Sequence, residues 1–100
     1  MDLTIYDFDP DKNAWLIENR GISFEQILAV LESKGPIDVI NHPNTVKYPH
    51  QQMYVVELQD YIYLVPFAEQ KGRIFLKTAF PNRKAVKQYG HSSKGGVYHD

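Results

Sequence analysis

The chain has 100 residues, 43% apolar and 13% aromatic, with no cysteine and a formal net charge of −1. That length predicts one domain with a small core, and the missing thiols exclude disulfides, thiol nucleophiles and cysteine-based zinc or iron–sulfur centres. No apolar run approaches the roughly 18–20 residues of a membrane helix and the acidic N-terminus is unlike a signal peptide, so the expectation is a soluble cytoplasmic protein.

The charge is unevenly spread. Residues 1–40 carry eight acidic and three basic side chains, residues 41–70 three and one, and residues 71–100 one and seven. A basic last third points to an anionic partner, or to an internal offset against the acidic first part.

In chain order, Leu3 to Phe8 reads as a first strand. Asp9-Pro10 reads as an N-cap followed by proline at the first helical position, where the missing N–H costs nothing. A helix is predicted from Pro10 to about Asn19, closed by Gly21 in a left-handed conformation. Ser23 and Gln26 have capping-box spacing, Ile22 and Ile27 the spacing of a hydrophobic staple. The second helix follows, with Phe24, Ile27, Leu28 and Leu31 on one face, and stops at Lys34-Gly35-Pro36.

Ile37 to Ile40 is a short strand candidate, and Asn41 to Gln52, with Pro43, Pro49, His42 and His50, reads as a loop. Met53 to Leu58 and Tyr61 to Phe67 are strands rich in Val, Ile and Tyr, joined by a two-residue Gln59-Asp60 turn without the usual glycine. Ala68 to Gly72 reads as the next turn. A strand from Arg73 to Thr78 then puts Arg73, Phe75 and Lys77 on one face and Ile74, Leu76 and Thr78 on the other. Pro81 is expected to break the ladder, with Asn82 capping a short helix from Arg83 to Tyr89. The fold class is α+β: two N-terminal helices against an antiparallel sheet, with a short C-terminal helix. Residues 1–90 are expected to form this single domain and residues 91–100 a flexible tail.

No phosphate-binding glycine loop, dinucleotide fingerprint or helical zinc motif is present. The four histidines lack ligand spacing on any regular element, so neither metal nor other cofactor is expected. The positive pattern is a sheet with aromatics (Tyr54, Tyr61, Tyr63, Phe67, Phe75) and cations near its last strand, a composition suited to stacking bases and holding phosphates of single-stranded RNA. Core packing is the competing role for those aromatics. The strand–helix junction is expected to gather Lys77, Arg83 and Lys84 at one corner, with Arg73 on the same strand, at a helix N-terminus able to hold phosphate. RNA cleavage by its own 2′-hydroxyl needs little more than cations to stabilise the phosphorane and a proton carrier. Arg83 and Lys77 are the leading catalytic candidates, Arg20 a third; Lys84, Arg73, Lys87 and Tyr89 are candidate RNA contacts. His50 or Glu57 could move protons.

The segment NRGISFEQI (Asn19 to Ile27), the strands MYVVEL and YIYLVPF, and the ending IFLKTAFPNRKAVKQY resemble the BrnT-like toxins of bacterial type II toxin–antitoxin pairs, over about residues 3–89. The resemblance implies a RelE-like ribonuclease fold and metal-independent RNA cleavage. It also implies neutralisation by an antitoxin that represses its own operon, in a toxin–antitoxin hetero-oligomer. It places Arg20 where the family has a histidine and Gln51-Gln52 near a Glu-Arg pair. It also aligns Arg83 and Lys84 with a basic pair before the last helix, and Tyr89 with an aromatic near the end. Two other readings stay open: a non-catalytic binding module of the same fold, and an interaction subunit whose sheet edge pairs with a partner strand.

Overall fold

A computed structural model describes residues 4–87. The expected tail and the end of the last helix, Tyr89 included, lie outside the described residues. The chain runs β1 (Ile5–Phe8), α1 (Pro10–Arg20), α2 (Phe24–Ser33), β2 (Asp38–Asn41), β3 (Gln52–Leu58), β4 (Tyr61–Gln70), β5 (Arg73–Leu76), β6 (Phe80–Pro81) and α3 (Arg83–Ala85). This is a mixed α+β fold, its two long helices N-terminal to most of a six-stranded sheet and a single helical turn after it.

Local chemistry sets the two long helices. Asp9 accepts from the Asp11 N–H at 3.0 Å ahead of Pro10. Gly21, at φ 69°, ends α1 with its N–H on the Ile17 carbonyl, a left-handed position costly for a residue with a Cβ. The capping box is complete: Gln26 N–H donates to Ser23 Oγ at 3.1 Å and Ser23 N–H to Gln26 Oε1 at 2.9 Å. Ile22 and Ile27, the staple pair, are both buried in one cluster. The tie between the helices is less evident from the sequence. Asn13, buried on α1, accepts the Phe24 N–H at 2.7 Å and donates to Glu25 Oε1 at 2.8 Å, so it acts on two first-turn residues of α2.

The sheet has order β1-β5-β4-β3-β2, with β6 paired to β4. Strands β2 to β5 form an antiparallel meander, but β1 pairs parallel with β5, Ile5 beside Arg73 and Phe8 beside Leu76. The expectation of an antiparallel sheet is corrected there. Alternation in a sequence reports which face a residue occupies and nothing about strand direction. Here β1 leads into the two helices, and the meander later brings β5 alongside it.

Two further boundaries differ. Strand β4 continues to Gln70 and turns only at Lys71-Gly72 (φ 54° and 80°), not from Ala68. Ala68, Glu69 and Gln70 are all exposed, so no burial pattern marks them as strand. Pro81 does not break the ladder, because the irregularity comes earlier. Between the pairs Phe67–Leu76 and Leu64–Phe80, β4 spends two residues (Pro66, Val65) and the facing strand three (Lys77, Thr78, Ala79). This is a one-residue bulge, and it ends β5 at Leu76 instead of Thr78. Pro66 has no N–H to offer the ladder, while its carbonyl accepts from Lys77 N–H at 2.9 Å. Asn82 N–H then returns to the Ile62 carbonyl, and because successive backbone groups alternate in direction, the Pro81 nitrogen faces away from β4. The Gln59-Asp60 turn forms as expected, both residues at positive φ (56° and 64°).

The alternation of β3 and β4 divides two apolar layers. Tyr54, Val56, Leu58, Tyr63, Val65 and Phe67 pack under α1 and α2 with Leu16, Phe24 and Ile27. Met53, Val55, Ile62 and Leu64 face the other way, under Ile40, Phe80, Ala85 and Val86. The first layer is thick, and the second is thin and stops short. On the same face Ile5 and Phe75 remain 48% and 41% exposed.

Candidate nucleic-acid interface

The bulge is where backbone, cations and loop meet. A bulge turns carbonyls out of the ladder, and a buried carbonyl needs a donor. The Ala79 carbonyl receives the Arg20 guanidinium from the end of α1, and that guanidinium also lies over the Trp15 ring, 4.8 Å from its centre. Arg20 is therefore engaged in holding the bulge.

Lys77, where the bulge begins, continues the β5 alternation onto the thinly covered face, beside Pro66. Its Nζ donates to Gln51 Oε1 at 2.7 Å. Gln51 is itself fixed, its Nε2 donating to the Phe67 carbonyl at 2.7 Å and the Gln52 carbonyl at 2.8 Å. Lys77 stays exposed, and one partner leaves an ammonium with donors to spare. Residues 42–51 arch over this spot. The His42 and Tyr48 rings lie 4.3 Å apart, and Asn44 holds the turn through its side chain to Lys47 N–H and its carbonyl to Tyr48 N–H. Between this arch and the sheet lie a cleft of ≈ 750 Å³, reaching His50, Phe67 and Glu69, and an adjoining hollow of ≈ 310 Å³, reaching His42 and Thr78. Tyr48, Gln51 and Lys77 line both.

The other expected cations are placed elsewhere. Arg83 and Lys87 line a separate hollow of ≈ 440 Å³ with Tyr61 and Val86. Lys84 is exposed on α3. Arg73 forms an exposed ion pair with Asp7 of β1, Nη2 to Oδ2 at 2.7 Å. Thus Lys77 and Arg83 serve different hollows, Arg73 is paired, and Arg20 belongs to the bulge. Nor does the cap of α3 offer an open anion site. The Asn82 side chain already takes the Ala85 N–H at 2.9 Å, and the described helix is a single turn.

Three of the five aromatics first read as a stacking surface are core. Tyr54, Tyr63 and Phe67 are buried, with Tyr54 and Phe67 stacked at 4.1 Å. Burial pushes the Tyr54 phenol up to about 12 and raises that of Tyr63, the latter partly opposed by the nearby Arg20 charge, so both stay protonated at neutral pH. Tyr61 and Phe75 remain exposed. The sequence reading missed the loop stack of His42 on Tyr48. Only the His-Pro and Tyr-Pro pairs at 42–43 and 48–49, marking a shaped loop, could have signalled it.

Among the described residues no group of three or more His, Asp or Glu side chains is gathered to hold a metal ion, and no helix is long and apolar enough to cross a membrane. Compared with known proteins, the chain matches no family model and no curated sequence.

Proposed function

We propose that this chain is a BrnT-like toxin with a RelE-like fold, cleaving single-stranded RNA through attack of the 2′-hydroxyl without a metal. The observation that carries the reading is the Lys77 ammonium, fixed by Gln51 at the wall shared by two adjoining hollows. A fixed cation in a groove of nucleotide size suits the phosphorane, whose added charge is the main thing to stabilise. Arg83 and Lys87, in their separate hollow, serve phosphates farther along the RNA, and Arg20 acts as a positioning residue by locking the bulge that begins at Lys77. The partner is a DNA-binding antitoxin.

The test is a time course on a short RNA in EDTA with wild type, Lys77→Ala, Arg83→Ala and an all-deoxy substrate. Removing the central cation is expected to cost about 10²–10³ in rate, and the deoxy strand should not be cut. Lys77→Ala cleaving as wild type overturns the assignment of the site.

The engagement of Arg20 by Ala79 favours one other reading, a non-catalytic module of the same fold, since a position matched to a family histidine is then structural. RNA that stays intact even with ribosomes added, but is still bound, selects this second reading.

A further inference from the structure

The hollow of ≈ 310 Å³ holds chemistry that the cation argument does not use. It is lined by His42, Tyr48, Gln51, Lys77, Thr78 and Phe80, together with Pro66. Among these are an ammonium, an imidazole, two hydroxyls and an amide, and no carboxylate. The rest of its wall is apolar, and a hollow whose few polar groups include an ammonium and an imidazole but no acid favours an anion over a cation. The outer cleft differs, since Glu69 contributes to its wall.

His42 is held in one orientation. Its Nδ1 accepts the Asn44 N–H at 3.0 Å, its backbone N–H donates to the Gln51 carbonyl at 2.8 Å, and its ring packs on Tyr48. In a neutral imidazole whose Nδ1 accepts, the proton resides on Nε2. The ring therefore brings a fixed N–H donor to the hollow that Lys77 also lines. Two oriented donors, two hydroxyls beside them and an adjoining wider cleft match a phosphate flanked by a nucleoside.

We propose that this hollow is a phosphodiester subsite. In it His42 Nε2–H and Lys77 Nζ donate to the two non-bridging oxygens of one backbone phosphate, with the neighbouring nucleoside in the outer cleft. The assignment deepens the RNA reading and rests on it for the source of the phosphate. His42 is thereby a substrate-contacting residue, and Asn44 its positioning residue.

The experiment is an NMR titration of the full chain with a 2′-O-methyl uridine trinucleotide, which cannot be cleaved by 2′ attack, and separately with inorganic phosphate. The trinucleotide is expected to shift the His42 ring signals saturably. His42→Ala and Lys77→Met each weaken it tenfold or more, and His42→Gln, which can still present an N–H, recovers part of the loss. Lys77→Met keeps an unbranched stem in place, so it reports on charge even if His42→Ala disturbs the loop. Unmoved His42 signals, or wild-type affinity in both His42→Ala and Lys77→Met, overturn the subsite. A response to inorganic phosphate alone overturns its assignment to nucleic acid. Tight trinucleotide binding beside intact RNA in the cleavage assay upholds the subsite and rejects the catalytic reading.

Discussion

The two faces of the sheet are built to different standards. Under α1 and α2 every level agrees: caps, staple, a thick apolar layer, and Asn13 with both of its polar ends used. On the other face the cover is one short helical turn and a loop. Exposed Ile5 and Phe75 remain beside cations, and the ladder itself is interrupted at Lys77. The first face makes the domain stable. The second departs from local regularity, as functional surfaces commonly do, and its departures converge on one lysine.

Asn13 gives the sharpest way to break the stable face. Asn13→Ala orphans the buried Phe24 N–H and is expected to cost about 1–3 kcal/mol, read from denaturant midpoints, while leaving the Lys77 cleft intact. The same contact sets an acid dependence. The hydrogen bond from Asn13, ahead of the backbone contribution, lowers the Glu25 carboxyl below its ordinary 4.5. A depressed folded-state value adds stability that is present above pH 4.5 and is lost as pH falls through the lower, folded value. Glu25→Gln should therefore lower stability at neutral pH, where the contribution is fully present, and converge on wild type in acid, so that the acid side of the stability–pH curve is flatter.

Arg20 links the two faces. Arg20→Ala removes a charged donor from the Ala79 carbonyl and the stack on Trp15, with an expected loss of about 1–2 kcal/mol. If Arg20 acts by positioning, RNA turnover falls through kcat with little change in KM. A loss in KM alone would place it in direct phosphate contact. The smallest effect is at the hairpin tip. Gln59 sits at φ 56°, where Asn is tolerated better, so Gln59→Asn should stabilise the chain by about 0.5–1 kcal/mol, measured by thermal unfolding.

What the sequence disclosed follows the same division. The capping box at Ser23–Gln26, the left-handed Gly21 and the tight turn at Gln59-Asp60 are local devices, each readable within about five residues, and all are present. The parallel pairing of β1 with β5 and the bulge at 77–79 depend on residues distant along the chain, and no periodicity encodes them. The site divides likewise. Lys77 was legible as a cation on the correct face, but its Gln51 anchor lies 26 residues away in sequence. Arg20 was legible as a charge, and only the fold reveals that a bulge carbonyl consumes it. Tyr54, Tyr63 and Phe67 alternate as surface aromatics do, and burial assigns them to the core.

The most direct measurement is the cleavage of a short single-stranded RNA in EDTA by purified wild type and Lys77→Ala, with an all-deoxy strand as control. The account predicts cutting by wild type alone, about 10²–10³ faster than the variant, and none of the deoxy strand. Equal rates for the two proteins, or cutting of the deoxy strand, would contradict the placement of the chemistry at the Lys77 bulge.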